Sequence, residues 1–511
     1  MRSDWGGWAC CVACGAVGVA AFAPTLRNDF VYDDTAIVKE NWIVKSPDAW
    51  YRFLLTSYWP PKNPDERRMA GGDVLYRPLT IAALRLQYLV HGGSAWGYHL
   101  VNVLLHGLIG AVTCAVAWRL WDRKTAGLVA GLLFAVHPLH ADAVAPIVGL
   151  SELLAAFFAL WLVVRHLRAG PLTGAALVRF HLGSAVLFAA AIAAKEHALL
   201  IWPIVLLIDA RNSPFAESSP LPARRRWRTW ADYLGRRGHI GFAFGAAAFF
   251  AFRFYVFGQS VRMPPSDQAL WANPLAAGGW LEHVLTPFRL LWLTARLLVD
   301  PSSLCPLWGP DGLVPPHGPW EIDVWLGLIL AIVLLAATFR SIRNRGPAAI
   351  GLLGFTLLLL VPLHVIPTAS WFFAERWLYL PSAFLFIALA GVGRRLPKSS
   401  AIAAVCVAAI LLPCAWSYAR AWHDDESLNT AVLRRQPDSF QAAKNLAVLR
   451  LKQKRYEDAL KIGIELRERF PDAWQPCQVL YESYLALGDT KQAEEAKAER
   501  DARAMRAFRA R

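Results

Sequence analysis

Long apolar runs alternate with short polar segments over most of the chain, and this pattern indicates the fold class. A helix that crosses a bilayer needs roughly 20 mainly apolar residues, and fewer where neighbouring helices shield it. The pattern therefore predicts an all-α, polytopic membrane protein with about eleven transmembrane helices. The predicted spans are 9–26, 98–120, 126–140, 150–166, 179–195, 197–210, 239–257, 324–340, 347–366, 377–393 and 400–417.

The net charge of +15 is concentrated in short basic clusters between the apolar runs. Lysine and arginine accumulate in the cytoplasmic loops of membrane proteins, so the clusters predict which loops are cytoplasmic. With residue 1 in the cytoplasm, all five clusters are cytoplasmic, and eleven spans place the C-terminus outside. No base-reading motif accompanies the charge, and we expect no nucleic-acid partner. The clusters are 121–126, 165–168, 223–228, 340–345 and 393–398.

The segment 281–301 is apolar enough to suggest a twelfth span, but it contains Glu282, Arg289 and Arg296. A full crossing here would also move the last two basic clusters to the outer face, against the charge rule. We therefore predict that this segment is a re-entrant or interfacial element.

The first external loop, 27–97, contains two segments whose apolar and aromatic residues recur at helical spacing. These segments, 49–59 and 78–90, are too short or too charged to cross a bilayer. Their pattern predicts helices that lie in the membrane interface.

Composition supports the membrane assignment, since 56% of the residues are hydrophobic and 18% are charged. Soluble proteins carry about a quarter charged residues. The eight cysteines fall mostly inside apolar runs, where a thiol behaves as a small apolar side chain. Their spacing indicates neither a metal site nor a disulfide framework. The first apolar run lacks a strongly basic leader and a small-residue cleavage site, so we interpret it as an uncleaved helix.

Beyond residue 420 the sequence becomes charged and helix-favouring, which predicts a second domain over 421–511 after a membrane domain over 1–420. Pro437 and Pro471 are 34 residues apart, the period of tetratricopeptide repeats. Two repeats are recognisable, and half of a further one precedes them. This helical domain is either a folding cap or a docking surface for a protein partner.

Two adjacent acids, Asp33 and Asp34, follow the first apolar run. Asp34 precedes "TAIVKEN" and is a candidate helix N-cap, which is a common role for aspartate. One cap leaves the other carboxylate unexplained. Ionisable groups in a membrane domain cost several kcal/mol unless they are paired or hydrated, so they are candidates for function. We therefore predict a catalytic role for at least one of the two acids.

The segment 134–156 gathers four more polar groups around a turn that contains Pro138. A histidine pair followed by an acid suggests a divalent metal site, but the proline disfavours the helical spacing of a zinc protease and no HExxH motif is present. We favour a cavity lining that hydrogen-bonds a sugar or a phosphate, with no metal. The four residues are His137, His140, Asp142 and Glu152.

Two further acid and base pairs are predicted at the outer ends of spans, Lys195 with Glu196 and Glu375 with Arg376. One interpretation is that buried ion pairs hold the helices in register. The other is that Lys195, Arg376 and Arg77, all predicted to lie on the outer face, bind an anionic head group, since fixed cations stabilise a phosphate as it departs. Both hold if the glutamates orient the cations.

These residues, in this order, resemble the transmembrane and tetratricopeptide-repeat O-mannosyltransferases of the GT-C glycosyltransferase superfamily. The matching segments are "NDFVYDD", "LYRPLTIAALRLQYLVHGGSAWGYHLVNVLLH", "LLFAVHPLHADAVAPIVGLSELLAA", "AAKEHALL", "NPLA", "DPSSLCPLW" and "AERWLYLPS", followed by the repeats. The chain departs from the family pattern at Leu150, where an arginine is usual, and its repeat array is shorter.

The resemblance implies transfer of mannose or another hexose from a polyprenyl phosphate sugar to a hydroxyl of a protein outside the cytoplasmic leaflet. The family's acidic pair matches Asp33 and Asp34, and Asp33 is our first choice as general base. Attack by a hydroxyl needs a base within hydrogen-bond reach. The leaving phosphate is already an anion, so a single inverting displacement requires no cofactor.

The acceptor and the membrane are open at this stage. A related enzyme would modify a lipid or an envelope glycan, and a non-catalytic protein would use the repeats as a membrane scaffold. Short loops and the Ala, Arg and Trp usage favour a bacterial inner membrane, with the site and the repeats on the periplasmic side.

Overall fold

The structure is a computed structural model, and all of its regular elements within the described residues are helices. The all-α prediction is therefore confirmed for this part of the chain. The predicted basic clusters 223–228 and, in large part, 393–398 lie outside it. The described residues are 4–46, 51–60, 75–169, 172–211, 238–258, 273–309, 311–366, 371–392 and 397–509.

The chain forms two compact units. The first comprises residues 1–304 and 315–420, and the second comprises 305–314 and 421–511. The described α-helices of the first unit are α1 (Trp5–Phe22), α2 (Trp42–Lys45), α3 (Pro78–His91), α4 (Ala95–Trp121), α5 (Lys124–Val136), α6 (Ala141–Val144), α7 (Leu150–Arg168), α8 (Gly174–Ala194), α9 (Ile201–Arg211), α10 (His239–Phe257), α11 (Trp280–Val299), α12 (Ile322–Arg343), α13 (Ala348–Leu358), α14 (Tyr379–Leu389) and α15 (Pro397–Ala419).

Seven described helices are long and apolar enough to cross a membrane, or eight if the bent pair α5 and 138–144 is one span. The chain is thus an integral, multi-pass membrane protein. The seven are Trp5–Arg27, Ala95–Trp121, Ile147–Arg168, Gly174–Ala194, His239–Phe257, Ile322–Arg343 and Lys398–Trp422.

The other three predicted spans, 197–210, 347–366 and 377–393, contain shorter α-helices. α9, α13 and α14 have 11 residues each. An α-helix of that length rises about 16 Å, against about 30 Å for the hydrocarbon core. A 3-10 turn precedes α9 and another precedes α14, so their apolar runs are only partly α-helical. The predicted count of about eleven therefore exceeds the number of long helices.

The central bundle of the first unit is built from α1, α4, α5 and α7, which pack against one another. Gly15 and Gly107 allow α1 and α4 to approach closely, because a Cβ on Gly107 would lie 2.7 Å from the Gly15 carbonyl oxygen. Small residues at such crossings let helix backbones pack in the absence of a strong hydrophobic drive within lipid.

The segment predicted to be re-entrant or interfacial forms the continuous helix α11, which packs against α12. Arg289 in this helix forms an ion pair with Glu321, just before α12 begins. The partner explains how α11 carries a charge within an apolar sequence. Its placement in the membrane interface stays a prediction.

The first loop folds on the bundle through an apolar core of its own. Ile37 and Val44 pack with Leu84 of α3 and with Ile147 and Val148 before α7. This core holds the acidic segment against the bundle.

One predicted helix of the first loop, 49–59, differs from the structure. Its described residues form only a 3-10 turn at Arg52–Leu54, while 49 and 50 lie outside them. Pro60 and Pro61 follow, and proline disfavours helical backbone in the residue before it. The other segment, 78–90, lies within helix α3.

The second unit is a set of short helices with a small apolar core of Ala447, Ala459 and Val479. The helices that start at Tyr456 and Thr490 begin 34 residues apart, which is the spacing expected of a repeated helix pair. A groove of about 250 Å³ is lined by residues of the first three helices of this unit, among them Leu433, Leu446 and Leu466. The helices are α16 (Asp425–Arg435), α17 (Phe440–Lys452), α18 (Tyr456–Arg469), α19 (Gln475–Leu487) and α20 (Thr490–Arg509).

Candidate active site

Asp34 is a fully buried anchor that ties the first loop to the bundle. Its carboxylate accepts hydrogen bonds from the backbone N–H groups of Val31 at 3.2 Å, Ile147 at 3.1 Å and Val148 at 2.8 Å. Burial raises the pKa of Asp34 to about 7, although the three hydrogen bonds oppose this shift. Asp34 begins the short helix Thr35–Lys39, but its side chain makes no capping bond there. The carboxylate therefore serves a long-range contact.

Two of the three N–H groups that reach Asp34, those of Ile147 and Val148, come from a break in the chain between α5 and α7. The bundle helix bends by 54° at His137, and a turn follows before α7. Gly149 allows this turn, because a Cβ there would collide with the Ala143 carbonyl oxygen. A broken helix leaves backbone donors without helical partners, and a buried carboxylate satisfies them here.

Asp33 is the acid of the pair that faces other charges. Its carboxylate lies 3.9 Å from the Arg376 guanidinium, and 19% of its side chain is exposed. Burial raises the pKa of Asp33 to about 6, while Arg376 and Arg77 oppose the shift. The preceding Tyr32 has a φ of 55°, an unusual conformation for a non-glycine residue. The backbone thus turns sharply where the two carboxylates diverge.

Arg376 is oriented by Asp142, the acid of the broken segment. One Asp142 oxygen accepts the Arg376 backbone N–H at 2.9 Å, and the other lies 3.4 Å from its guanidinium. Burial alone lowers the pKa of Arg376, but the carboxylates of Asp142 and Asp33 outweigh it and raise that pKa. Arg376 therefore stays charged between two acids.

Lys195 contacts Glu152 at the start of α7 through its ammonium group. His197 lies 3.8 Å from the second oxygen of the same carboxylate. Burial and the nearby guanidinium groups of Arg77 and Arg376 lower the pKa of Lys195. Lys195 is thus paired with an acid and lies among the other cations.

Glu196 lies between two arginines. Its carboxylate is 3.5 Å from Arg77 and 3.7 Å from Arg253, and it accepts the Tyr76 backbone N–H at 3.2 Å. Burial would raise the pKa of Glu196, but the two arginines lower it. The Arg77 guanidinium also lies 4.8 Å from the Tyr58 ring centre, a cation–π contact.

Arg253 was not among the residues predicted from the sequence. It lies inside α10, within the run "FFAFRFYVF". A single arginine in an apolar span is itself a functional signal, because burying an unpaired charge in a membrane is costly. The signal was available in the sequence.

The two predicted histidines have protein partners on both ring nitrogens. His137 contacts the Leu298 carbonyl oxygen at 3.0 Å and accepts the Leu139 N–H at 3.2 Å. His140 contacts the Phe134 carbonyl oxygen at 2.8 Å and the Ser382 hydroxyl at 2.9 Å. These bonds hold the broken segment to its neighbours. Contact of either histidine with a sugar stays a prediction.

Glu375 precedes Arg376 in the chain and is buried, and its carboxylate has a partner in a different helix. Its carboxylate accepts the Tyr418 hydroxyl at 2.8 Å, which joins the segment before α14 to α15. Its predicted role in lining the cavity therefore also stays a prediction.

The structure brings the predicted acids and cations of distant segments into one charged cluster. Lys195 interacts with both Arg77 and Arg376, and Asp33 interacts with both as well. Chemically, the cluster offers two partly exposed carboxylates, those of Asp33 and Glu196, beside several fixed cations. Its members are Asp33, Arg77, Asp142, Glu152, Lys195, Glu196, Arg253 and Arg376.

The fold and the cluster define a multi-pass helical membrane protein with a partly exposed acid next to a set of cations. Its curated relatives are protein O-mannosyl-transferases, which confirms the predicted resemblance. Protein O-mannosyl-transferase Tmtc2 of Drosophila melanogaster is 30% identical over 343 residues, which cover 65% of this chain and 34% of the relative.

Two further relatives align over more of the chain. Protein O-mannosyl-transferase TMTC3 of Homo sapiens is 26% identical over 94% of this chain and 53% of its own length. TMTC4 of Mus musculus is 27% identical over 85% of this chain and 63% of its own length. The chain thus spans between about a third and two thirds of these relatives. No model of a protein family and no solved structure matches it.

Proposed function

We propose that the chain is a membrane glycosyltransferase that moves mannose or another hexose from a polyprenyl phosphate sugar to a hydroxyl of a protein. The observation that carries the proposal is the division of labour between the adjacent acids. Asp34 is committed to three backbone N–H groups, whereas Asp33 is partly exposed and 3.9 Å from Arg376.

Asp33 acts as the general base in this proposal. With a pKa of about 6 it is mostly ionised at neutral pH and basic enough to accept a proton from a hydroxyl as the bond to the sugar forms. The Asp34 carboxylate already accepts three backbone hydrogen bonds, so it is less able to accept a proton from a hydroxyl. The names of the relatives favour mannose as the sugar and protein as the acceptor.

The donor's phosphate leaves as an anion, so it needs cations more than an acid. Arg77, Lys195 and Arg376 are the proposed binding groups, since fixed cations stabilise the charge that develops on a leaving phosphate. A single displacement inverts the anomeric configuration, and no cofactor takes part in it. His137, His140, Asp142, Glu152, Glu196 and Glu375 remain proposed residues of the sugar site or its wall.

We further propose a GT-C architecture for the membrane unit and tetratricopeptide repeats for the second unit. The 34-residue spacing of two helix starts supports the repeats. The groove beside Leu446 and Leu466 is the proposed contact surface for a protein acceptor. The short loops and the Ala, Arg and Trp usage favour a bacterial inner membrane, and the basic clusters favour the site and the repeats on the periplasmic side.

The test is mass spectrometry of envelope proteins from a strain that lacks the chain. We expect a hexose to disappear from serine or threonine residues. The wild-type chain should restore the hexose, whereas the Asp33→Asn variant should not, although it reaches the membrane in equal amounts. Purified chain with polyprenyl phosphate mannose should form a product of inverted configuration.

Two other outcomes would replace the proposal. Loss of a sugar from a lipid or an envelope glycan, with proteins unchanged, would assign the same donor chemistry to another acceptor. Full function of the Asp33→Asn variant would indicate a non-catalytic scaffold that works through its helical repeats.

A further inference from the structure

Charge is divided unevenly within the charged cluster. Lys195 is matched by Glu152, and Arg376 is matched by Asp142, which leaves Asp33 as the surplus acid on that side. On the other side Glu196 is shared by two arginines, Arg77 and Arg253. The arginine side therefore has one surplus positive charge.

The two arginines beside Glu196 make only long contacts with its carboxylate. Their distances to the carboxylate are 3.5 Å and 3.7 Å, longer than the roughly 2.7–2.9 Å of a strong charge-assisted hydrogen bond. Among the described residues, Glu196 is the one carboxylate within 4.0 Å of either guanidinium. Neither arginine has its hydrogen-bonding capacity used up by an acid.

Arg253 in particular has a donor without a partner. Its side chain is 9% exposed, and its Nε is buried with no hydrogen bond in the described part of the chain. A buried charged group with an unpaired hydrogen-bond donor destabilises the fold, so the presence of Arg253 inside α10 needs a reason. The oxygens of an anionic ligand would accept a hydrogen bond from this donor, and its negative charge would balance the surplus positive charge.

The surroundings hold Arg253 beside Arg77. Tyr76 packs against Phe249 of α10 with ring centres 5.5 Å apart and against Phe257 at 5.8 Å. Its backbone N–H is the same one that Glu196 accepts. Ring packing and the shared carboxylate thus fix the first loop against α10 at the two arginines.

We propose that Arg253 binds the phosphate of the lipid-linked donor together with Arg77, so that the donor's head group lies between the first loop and α10. The inference rests on the proposed function and adds a residue to it. Guanidinium groups suit this role, because their planar donors match phosphate oxygens two at a time.

The test is equilibrium binding of two lipids to the purified full chain, without any transfer reaction. The probes are a polyprenyl phosphate and the uncharged polyprenol of the same length. We expect Arg253→Met to weaken binding of the phosphate lipid about tenfold or more and to leave polyprenol binding unchanged. Arg253→Lys should recover part of the loss, since it keeps a point charge without the fork of donors.

The matched control is Arg165→Met, which removes an arginine from another membrane span. Arg165 donates to the Ser184 hydroxyl at 3.1 Å and to the Arg179 carbonyl oxygen at 2.9 Å, so its donors have neutral partners. It lies about 20 Å further along α7 than Glu152. We expect its removal to leave the preference for the phosphate lipid intact.

Two results would overturn the role of Arg253. One is a wild-type preference for polyprenyl phosphate in Arg253→Met. The other is an equal loss of both lipids in Arg253→Met and Arg253→Lys, which indicates a purely structural role. If the wild-type chain itself fails to prefer polyprenyl phosphate, the proposed donor falls as well.

Discussion

The two units of the chain use ion pairs in opposite settings. In the membrane unit the acids Asp142 and Glu152 have side chains that are 1% exposed. In the second unit Glu426 is 40% exposed in its pair with Arg450, and Asp438 is 83% exposed in its pair with Arg469. Loss of one partner of a buried ion pair strongly destabilises the protein, whereas exposed ion pairs contribute little to its stability. We therefore expect substitutions of single charged residues to have larger effects in the membrane unit than in the second unit.

Asp33→Asn should have the largest effect on activity. It removes the proposed base while keeping the shape of the side chain, and loss of a general base lowers rates about 10²–10⁴-fold. Asp33 accepts no backbone N–H from the break before α7, so we expect thermal unfolding to change little. The measurement is the initial rate of transfer from polyprenyl phosphate mannose, together with a melting curve.

The neighbouring Asp34→Asn variant is the matched control for this prediction. It makes the same chemical change one residue further along the chain, so it should alter mainly the stability. Equal rates in Asp33→Asn and the wild type would remove Asp33 from the mechanism.

Asp34→Ala should have the largest effect on stability. It leaves three buried backbone N–H groups without an acceptor, and each unsatisfied buried group costs roughly 1–3 kcal/mol. We expect a loss of at least about 3 kcal/mol, which is measurable as a lower unfolding temperature in detergent. Asp33→Ala is the comparison, and similar melting curves for the two variants would contradict the anchor role of Asp34.

The pH dependence should separate activity from stability. The transfer rate requires ionised Asp33, so it should fall about tenfold per pH unit below a midpoint near the pKa of about 6. Both acids have a pKa raised above the ordinary value of 3.8, so the folded state holds their protons more tightly. Stability should then fall as pH rises from about 4 to about 7.

Opposite slopes of rate and stability against pH are thus the expected result over this range. Asp34→Asn removes one of the two titrating groups and should flatten the stability curve. A rate that is constant between pH 5 and pH 7 would show that no group like Asp33 limits transfer.

Part of the site follows from the sequence for a physical reason. Charges are scarce in apolar runs, so Asp33, Lys195 and Arg376 stand out. Their order along the chain also resembles that of a known family. The contacts of Asp34 do not follow, because they depend on N–H groups more than a hundred residues away. Arg253 was missed because a single charge scarcely changes the mean hydropathy of a long apolar segment.

The fold shows a similar limit. Apolar runs predict where helices occur, but they do not reveal how far the α-helical backbone extends. The run 197–210 includes part of a 3-10 turn before α9, and 377–393 includes part of another before α14. Hydrophobicity is the same in both backbone forms, so the sequence overestimates the length of these helices.

Glu426→Gln, in the second unit, should have the smallest effect. Glu426 accepts two hydrogen bonds from Arg450, at 2.6 Å and 2.7 Å, and this contact lowers the pKa of Glu426 to about 2. The carboxylate is partly exposed, so solvent and salt screen it, and we expect a loss of no more than about 1 kcal/mol. The loss should be present above about pH 4 and vanish as pH falls toward 2, where the wild-type carboxyl also becomes protonated. A melting-temperature change as large as that of Asp34→Ala would erase the contrast between the two units.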